Sequence, residues 1–416
     1  MSGTLFYTAR IFTPKTGARP AAGEAQGTIA SFDHGALFVE NGIIRAADDE
    51  AVVRACMAAE GAEAAEDHDC GGACMIPGFV DPHTHICFAA RRESEFMMRL
   101  EGKSYLEILA AGGGILSSVN AVKAASEDEL LDATLENVLS ALNFGTTTME
   151  VKSGYGLDTA EELKMLRVIG RLSEETPLDI VPTFMGAHAV PPQYKNRPDG
   201  YVDLIVDEML PAVKEQGIAR ACDVFCETGV FTVEQSRRIL KKARELGFAL
   251  RIHADEVDDT GGAALAAELG VLSAEHLLAA HPDNLAKMAR AGVIANVLPA
   301  TAYSLRKPYA DARRMIDLGV PVALATDCNP GSCYCESMPF VFGLAVMNMG
   351  LTVNEALTAC TMNAAWSVGM ADKVGSLEAG KQADFLLLDG ESPAALAYHA
   401  GANPVAEVYK KGVCVA

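Results

Sequence analysis

Three scarcities bound this 416-residue chain: one tryptophan, an aromatic content of 6%, and no apolar run long enough to cross a bilayer as a helix. Positive charge is also short, with 34 Lys and Arg against 55 Asp and Glu and a formal net charge of −21. Such a surface repels phosphate backbones and anionic headgroups, so no nucleic acid and no membrane partner is expected. A small anionic substrate stays open, because it responds to the local field of one or two arginines. Met1 to Lys15 lacks a basic start followed by an apolar stretch and a small-residue cleavage site, and a cytoplasmic protein is expected. The repeated CxxC spacing of a structural zinc site is missing too. The 11 cysteines are odd in number and scattered through apolar segments, as at Cys87, Cys222, Cys328 and Cys360, and are read as reduced.

What is present is apolar residue, half of the chain, enough for one large barrel-type domain and a smaller one. From Pro77 to about Gly375, short apolar runs alternate with amphipathic helical stretches, the pattern of repeated βα units. Eight runs are found: residues 78–85, 146–151, 180–188, 222–227, 249–256, 272–277, 293–299 and 321–327. This predicts an α/β fold, a (β/α)8 TIM-type barrel over residues 77–376. The flanks, residues 1–76 and 377–416, carry short β-like pieces such as LFYTARIFT, ADFLLLDG and EVYKKGVCVA. Neither is large enough for its own core, so the two are expected to pair into one small β-sandwich domain beside the barrel.

A barrel's active site is built at the C-terminal ends of its strands. The first run ends in His83-Thr84-His85, whose alternate side chains point the same way in a strand. The fifth carries His253, the sixth His276 and the eighth Asp327. Five of the nine histidines, His188 included, fall at strand ends of one barrel face, whereas His34, His68, His281 and His399 are read as surface residues. Imidazoles with a carboxylate form a nitrogen- and oxygen-rich site suited to zinc or iron. Glu256, three residues after His253, is placed to shuttle a proton, the alternative being a helix N-terminal carboxylate. His276 on the next strand can polarise a carbonyl or stabilise an oxyanion.

GFVDPHTH with the later His, His and Asp resembles the amidohydrolase superfamily over nearly the whole chain, and GSLEAGKQADFLLLD resembles its return to the small β-domain. Within it, AGGGILSSV, EVKSGYGL, FMGAHAVP, ETGVF, IHADE and ATDCNPGS in series are similar to the imidazolonepropionase family. That resemblance implies His83, His85, His253 and Asp327 as metal ligands, with Asp327 also accepting the proton of water, and Glu256 and His276 as the other catalytic residues. It implies one divalent metal per chain, Zn2+ or Fe2+. The fourth strand ends in Cys226-Glu227 rather than in the lysine that holds a second metal in other members, and Lys152 is read as structural or part of a substrate loop. The implied activity is ring opening of a five-membered cyclic amide with a propionate arm by a homodimeric enzyme. Arg92 is the matching carboxylate clamp, with Arg91 one residue away. Tyr155, His188 and Glu256 would contact substrate, with Asn329, Gly331 and Ser332 forming a loop over it; the glycines 112 to 114 would shape a turn near the mouth. Two other readings stay open: a deaminase or dihydroorotase-like amidase of the same superfamily, and a non-catalytic scaffold.

Overall fold

The computed structural model describes residues 3–103, 107 and 112–416; Ala111 of the AGGGILSSV stretch lies outside them. Each of the eight apolar runs coincides with a strand to within a few residues: Phe79–Asp81, Thr146–Lys152, Asp179–Ala187, Ala221–Cys226, Ala249–Ala254, Ser273–His276, Ile294–Val297 and Val322–Leu324. They pair in chain order and in parallel, as crossover connections require. The last strand closes on the first through backbone bonds just past their ends, Asp327 N–H to His83 O at 3.1 Å and His85 N–H to Cys328 O at 2.9 Å. The first bond joins two of the expected ligand residues directly, and the second ties a third, His85, to the residue after Asp327.

Local sequence explains the surrounding helices. Ser126 and Glu129 cap each other at the start of Glu127–Asn143, and Thr232 and Gln235 do so at Val233–Glu245, each satisfying helix N–H groups that have no partner within the helix. Helices Gly262–Leu269, Pro282–Ala291 and Ala312–Asp317 follow the fifth, sixth and seventh strands. The Met- and Phe-rich stretch after Ser337 forms the largely buried helix Met338–Asn348. Among the described residues, no helix is long and apolar enough to cross a membrane.

The chain ends do pair. Strands Gly3–Pro14, Ile29–Glu40, Ile43–Asp49, Ala64–Asp69 and Cys74–Pro77 join Phe385–Leu388, Val405–Lys410 and Val413–Cys414 in one mixed sheet. Strand alternation sends Phe6, Leu37, Val39 and Phe385 into one apolar cluster and Leu5, Ala36 and Phe38 into another. Val53 and Met57 complete the second cluster from a helix, Glu50–Glu60, that the β-like reading of this flank did not anticipate. It ends at Gly61, whose φ of 63° is one that glycine adopts without strain. His68, read as a surface residue, is half-buried against Phe6 and Tyr409, whereas His34, His281 and His399 are exposed.

The small sheet is pinned to the barrel by charge. Lys410 Nζ lies 2.6 Å from Asp384 and 2.7 Å from Asp179, the first residue of the third barrel strand. Removing the ammonium leaves two carboxylates facing each other at a mostly dry junction. Lys410→Met is therefore expected to lower unfolding free energy by about 3 kcal/mol, measured by urea denaturation.

Candidate metal centre and active site

The first barrel strand stops at Asp81, and the extended chain beyond it presents His83 and His85. His253 lies on the fifth strand, His276 ends the sixth and Asp327 follows the eighth, all of them buried. His85 Nε2 and His253 Nε2 face each other at 3.2 Å, and Asp327 Oδ1 lies 3.5 Å from His83 Nε2 and 3.7 Å from His85 Nε2. Nitrogens bound to one zinc at ~2.0–2.1 Å in a tetrahedron stand roughly 3.3 Å apart, so these separations fit one ion. The buried His83 Nε2 has no hydrogen-bond partner, a vacancy that a folded core does not leave without cause. The donor set of imidazole and carboxylate thus fits a divalent cation. A second grouping, His83 with His253 and His276, is also close enough to converge on one point.

The opposite nitrogens explain why the Nε2 atoms face inward. His83 Nδ1 bonds Glu275 Oε2 at 3.0 Å and His253 Nδ1 bonds Asp223 Oδ1 at 3.1 Å, so each carboxylate holds the ring proton on Nδ1 and leaves Nε2 to donate its lone pair. These carboxylates are themselves anchored. Lys152 Nζ lies 2.9 Å from Asp223 and 2.7 Å from Glu150, and Arg251 Nη2 lies 3.4 Å from Glu275, to which Asn296 Nδ2 also donates at 2.7 Å. Lys152 is therefore a buried structural cation. The sequence reading missed this layer, although the charged residues inside the buried runs TTTMEVK, ACDVFC, ALRIHA and SAEH signal it.

Electrostatics follow from this dry packing. Burial, and then the Lys152 charge, holds the His83 imidazole well below its ordinary range; burial and His188 do the same to His85. Burial, then His253, brings His188 down to about 3. For Asp223, burial works upward, but the charges of His253 and Lys152 outweigh it and hold the carboxyl well below its usual range. Asp327 is raised by burial, although its Oδ2 accepts a 2.6 Å bond from Thr301, a contact not evident from sequence. His276 and Asp327 adopt left-handed backbone conformations, with φ of 70° and 54°, which cost free energy in non-glycine residues and recur where side chains are aimed for function.

A cavity of about 700 Å³ opens over the cluster. The expected metal ligands, catalytic residues and substrate contacts line it except His83, which is sealed beneath; the glycines 112 to 114 do not line it. Glu256 lies 3.8 Å from His276, and His188 stacks on His85 at 4.7 Å, with Tyr155 5.3 Å from His188 between ring centres. Asn329 organises its own loop, its Oδ1 accepting from Gly331 N–H at 2.9 Å and Ser332 N–H at 2.7 Å. Of the two neighbouring arginines, Arg92 faces the cavity, while Arg91 is outside it and pairs with the exposed Glu136. Glu227 joins the loops after the fourth and fifth strands by accepting from Thr228 and Val257 amides.

The amidohydrolase family model matches residues 74–415. The imidazolonepropionase of Desulfotalea psychrophila is 63% identical over 99% of both chains, and that of Syntrophobacter fumaroxidans is 60% identical over 99% of this chain and 96% of its own. The chain belongs to the imidazolonepropionase family of amidohydrolases. Among solved structures, Escherichia coli guanine deaminase covers 100% of this chain and 99% of its own at a TM-score of 0.75, and a zinc-bound adenosine deaminase from Xanthomonas campestris covers 99% and 92% at 0.72. At 13% and 18% identity these share the fold.

For this imidazolonepropionase-family site, Glu275→Ala is expected to weaken metal binding by about 10- to 100-fold, measured by competition with a chelating dye. Unchanged affinity would show that His83 needs no partner to hold its ring.

Proposed function

We propose that this chain opens the ring of 4-imidazolone-5-propanoate by hydrolysis, giving N-formimidoyl-L-glutamate in histidine breakdown. The observation that carries this reading is one cavity that joins the His–Asp cluster to an arginine-bearing wall. A cyclic amide bearing a propionate arm needs both ends, whereas a deaminase attacking an amidine carbon needs no carboxylate clamp.

His83, His85, His253 and Asp327 would hold one divalent cation, zinc or ferrous iron. When bound, it supplies Lewis acidity at the scissile carbonyl and lowers the pKa of attacking water. Asp327 accepts the proton that water gives up. Water oxygen joins the carbonyl carbon, the carbon–nitrogen bond breaks, and Glu256 shuttles the proton taken up by Asp327 to the leaving ring nitrogen. His276, beside Glu256, donates toward the carbonyl oxygen as charge develops. At the other end Arg92 takes the arm's carboxylate, with Tyr155 and His188 against the ring and the Asn329–Ser332 loop, which holds Gly331, closing over it.

Metal analysis paired with ultraviolet detection of imidazolone propionate consumption tests the assignment. About one metal per chain with turnover is expected, and metal without turnover on this substrate overturns it. His83→Ala and Asp327→Ala are each expected to lose both bound metal and activity. Arg92→Ala is expected mainly to raise KM, by a loss of ~2 to 4 kcal/mol of binding, measured by steady-state kinetics. An unchanged KM would move the clamp away from Arg92.

A further inference from the structure

The arginine-bearing wall holds more positive charge than one carboxylate clamp requires. Arg92 spends Nε and Nη2 on Glu95 at 2.8 and 2.6 Å, and the same buried carboxylate accepts the Gly114 amide at 3.0 Å. Glu95 therefore fixes Arg92 to the glycine turn and cancels one charge. Two further cations, Arg99 and Lys103, line the same cavity. Arg99 Nη1 donates to Gly331 O at 2.9 Å, a neutral partner, and Lys103 makes no ion pair among the described residues. The other acids of the cavity are engaged elsewhere: Glu227 accepts two backbone amides, Glu256 lies beside His276, and Asp327 accepts from Thr301.

Both guanidinium groups are seated on one residue. A Cβ at Gly331 would meet Arg92 Nη1 at 2.5 Å, so the absence of a side chain lets Arg92 lie on its backbone, while Arg99 holds its carbonyl. A second pocket of about 260 Å³ lies against this partition and shares Arg92, Arg99, Gly331 and Ser332 with the catalytic cavity. Arg99 thus borders both pockets. Burial, and then the charge of Arg92, holds its guanidinium below the usual arginine range, the condition an incoming anion relieves.

A chain of net charge −21 repels an anionic substrate overall, so a local group of cations is what draws it in. With a Debye length of ~8 Å at physiological salt, cations at the mouth govern its last approach. We propose that Arg99, assisted by Lys103, forms a second carboxylate-binding site at the cavity mouth, which captures the propionate arm of the substrate and hands it to Arg92. This deepens the functional reading above and rests on it for the substrate's arm.

The test uses the metal-loaded enzyme and a ring analogue without the scissile carbonyl, 3-(imidazol-4-yl)propionate, beside its uncharged methyl ester. Calorimetry at low and high salt reads both affinities. Arg99→Gln is expected to weaken acid binding by about tenfold, to flatten its salt dependence and to leave ester binding unchanged. Arg99→Lys, which restores the charge, is expected to recover most of the loss. Lys103→Gln, at an exposed position, should give a smaller loss confined to the acid, and it keeps the test alive if Arg99→Gln does not fold. Equal weakening of acid and ester would make Arg99 a strut for Gly331 and overturn the proposal, as would unchanged acid binding or a failed lysine rescue. Wild-type turnover of imidazolone propionate judges the substrate assignment separately. Acid-selective binding that Arg99→Gln abolishes, in an enzyme that opens no ring, would keep the carboxylate site and end that assignment.

Discussion

Buried imidazoles that turn bare nitrogens toward one another are costly unless something positive sits between them. Around His83, His85, His253 and Asp327 that cost is imposed by a second layer of charge: Glu275 and Asp223 take the outer ring nitrogens of His83 and His253, and Lys152 and Arg251 balance those carboxylates. Every strand contributing to this layer is held in register by its parallel neighbours, so a shift of one residue in the second, fourth, fifth or sixth strand would unpair a charge in a dry interior. The interior of the barrel is therefore an electrostatic scaffold for the face above it.

The cavity built on that scaffold is polarised. One end gathers the imidazoles, Asp327 and Glu256, where a nucleophile and a leaving nitrogen need proton partners. The other gathers Arg92, Arg99 and Lys103 around the single carboxylate of Glu95. A ligand that is a ring at one end and an anion at the other satisfies both. Gly331 is the pivot: the loop that Asn329 shapes places its backbone under two guanidinium groups, in the same turn that begins with Asp327.

Most of the architecture was legible in the sequence, because buried parallel strands are short apolar runs and the residues that follow them are the ones that do chemistry. The runs around His83, His253, His276 and Asp327 located the strands within a few residues. Charged residues inside the runs were harder to use. Glu275 beside His276, and Asp223 in CDVFC, look like strand-end accidents until tertiary pairing shows which ring each one holds. Thr301 reaches Asp327 from the helix Pro299–Leu305, and no local pattern announces such a contact. The helix Glu50–Glu60 was overlooked because β-like pieces surround it, although Gly61 marks its end.

Product analysis after incubation of the metal-loaded protein with imidazolone propionate tests the central claim most directly, that this polarised cavity opens a cyclic amide held by its carboxylate arm. The account predicts one molecule of N-formimidoyl-glutamate for each substrate consumed, with water incorporated and no ammonia released during the ring opening. Stoichiometric ammonia, or an intact ring after the metal site has been filled, would contradict it.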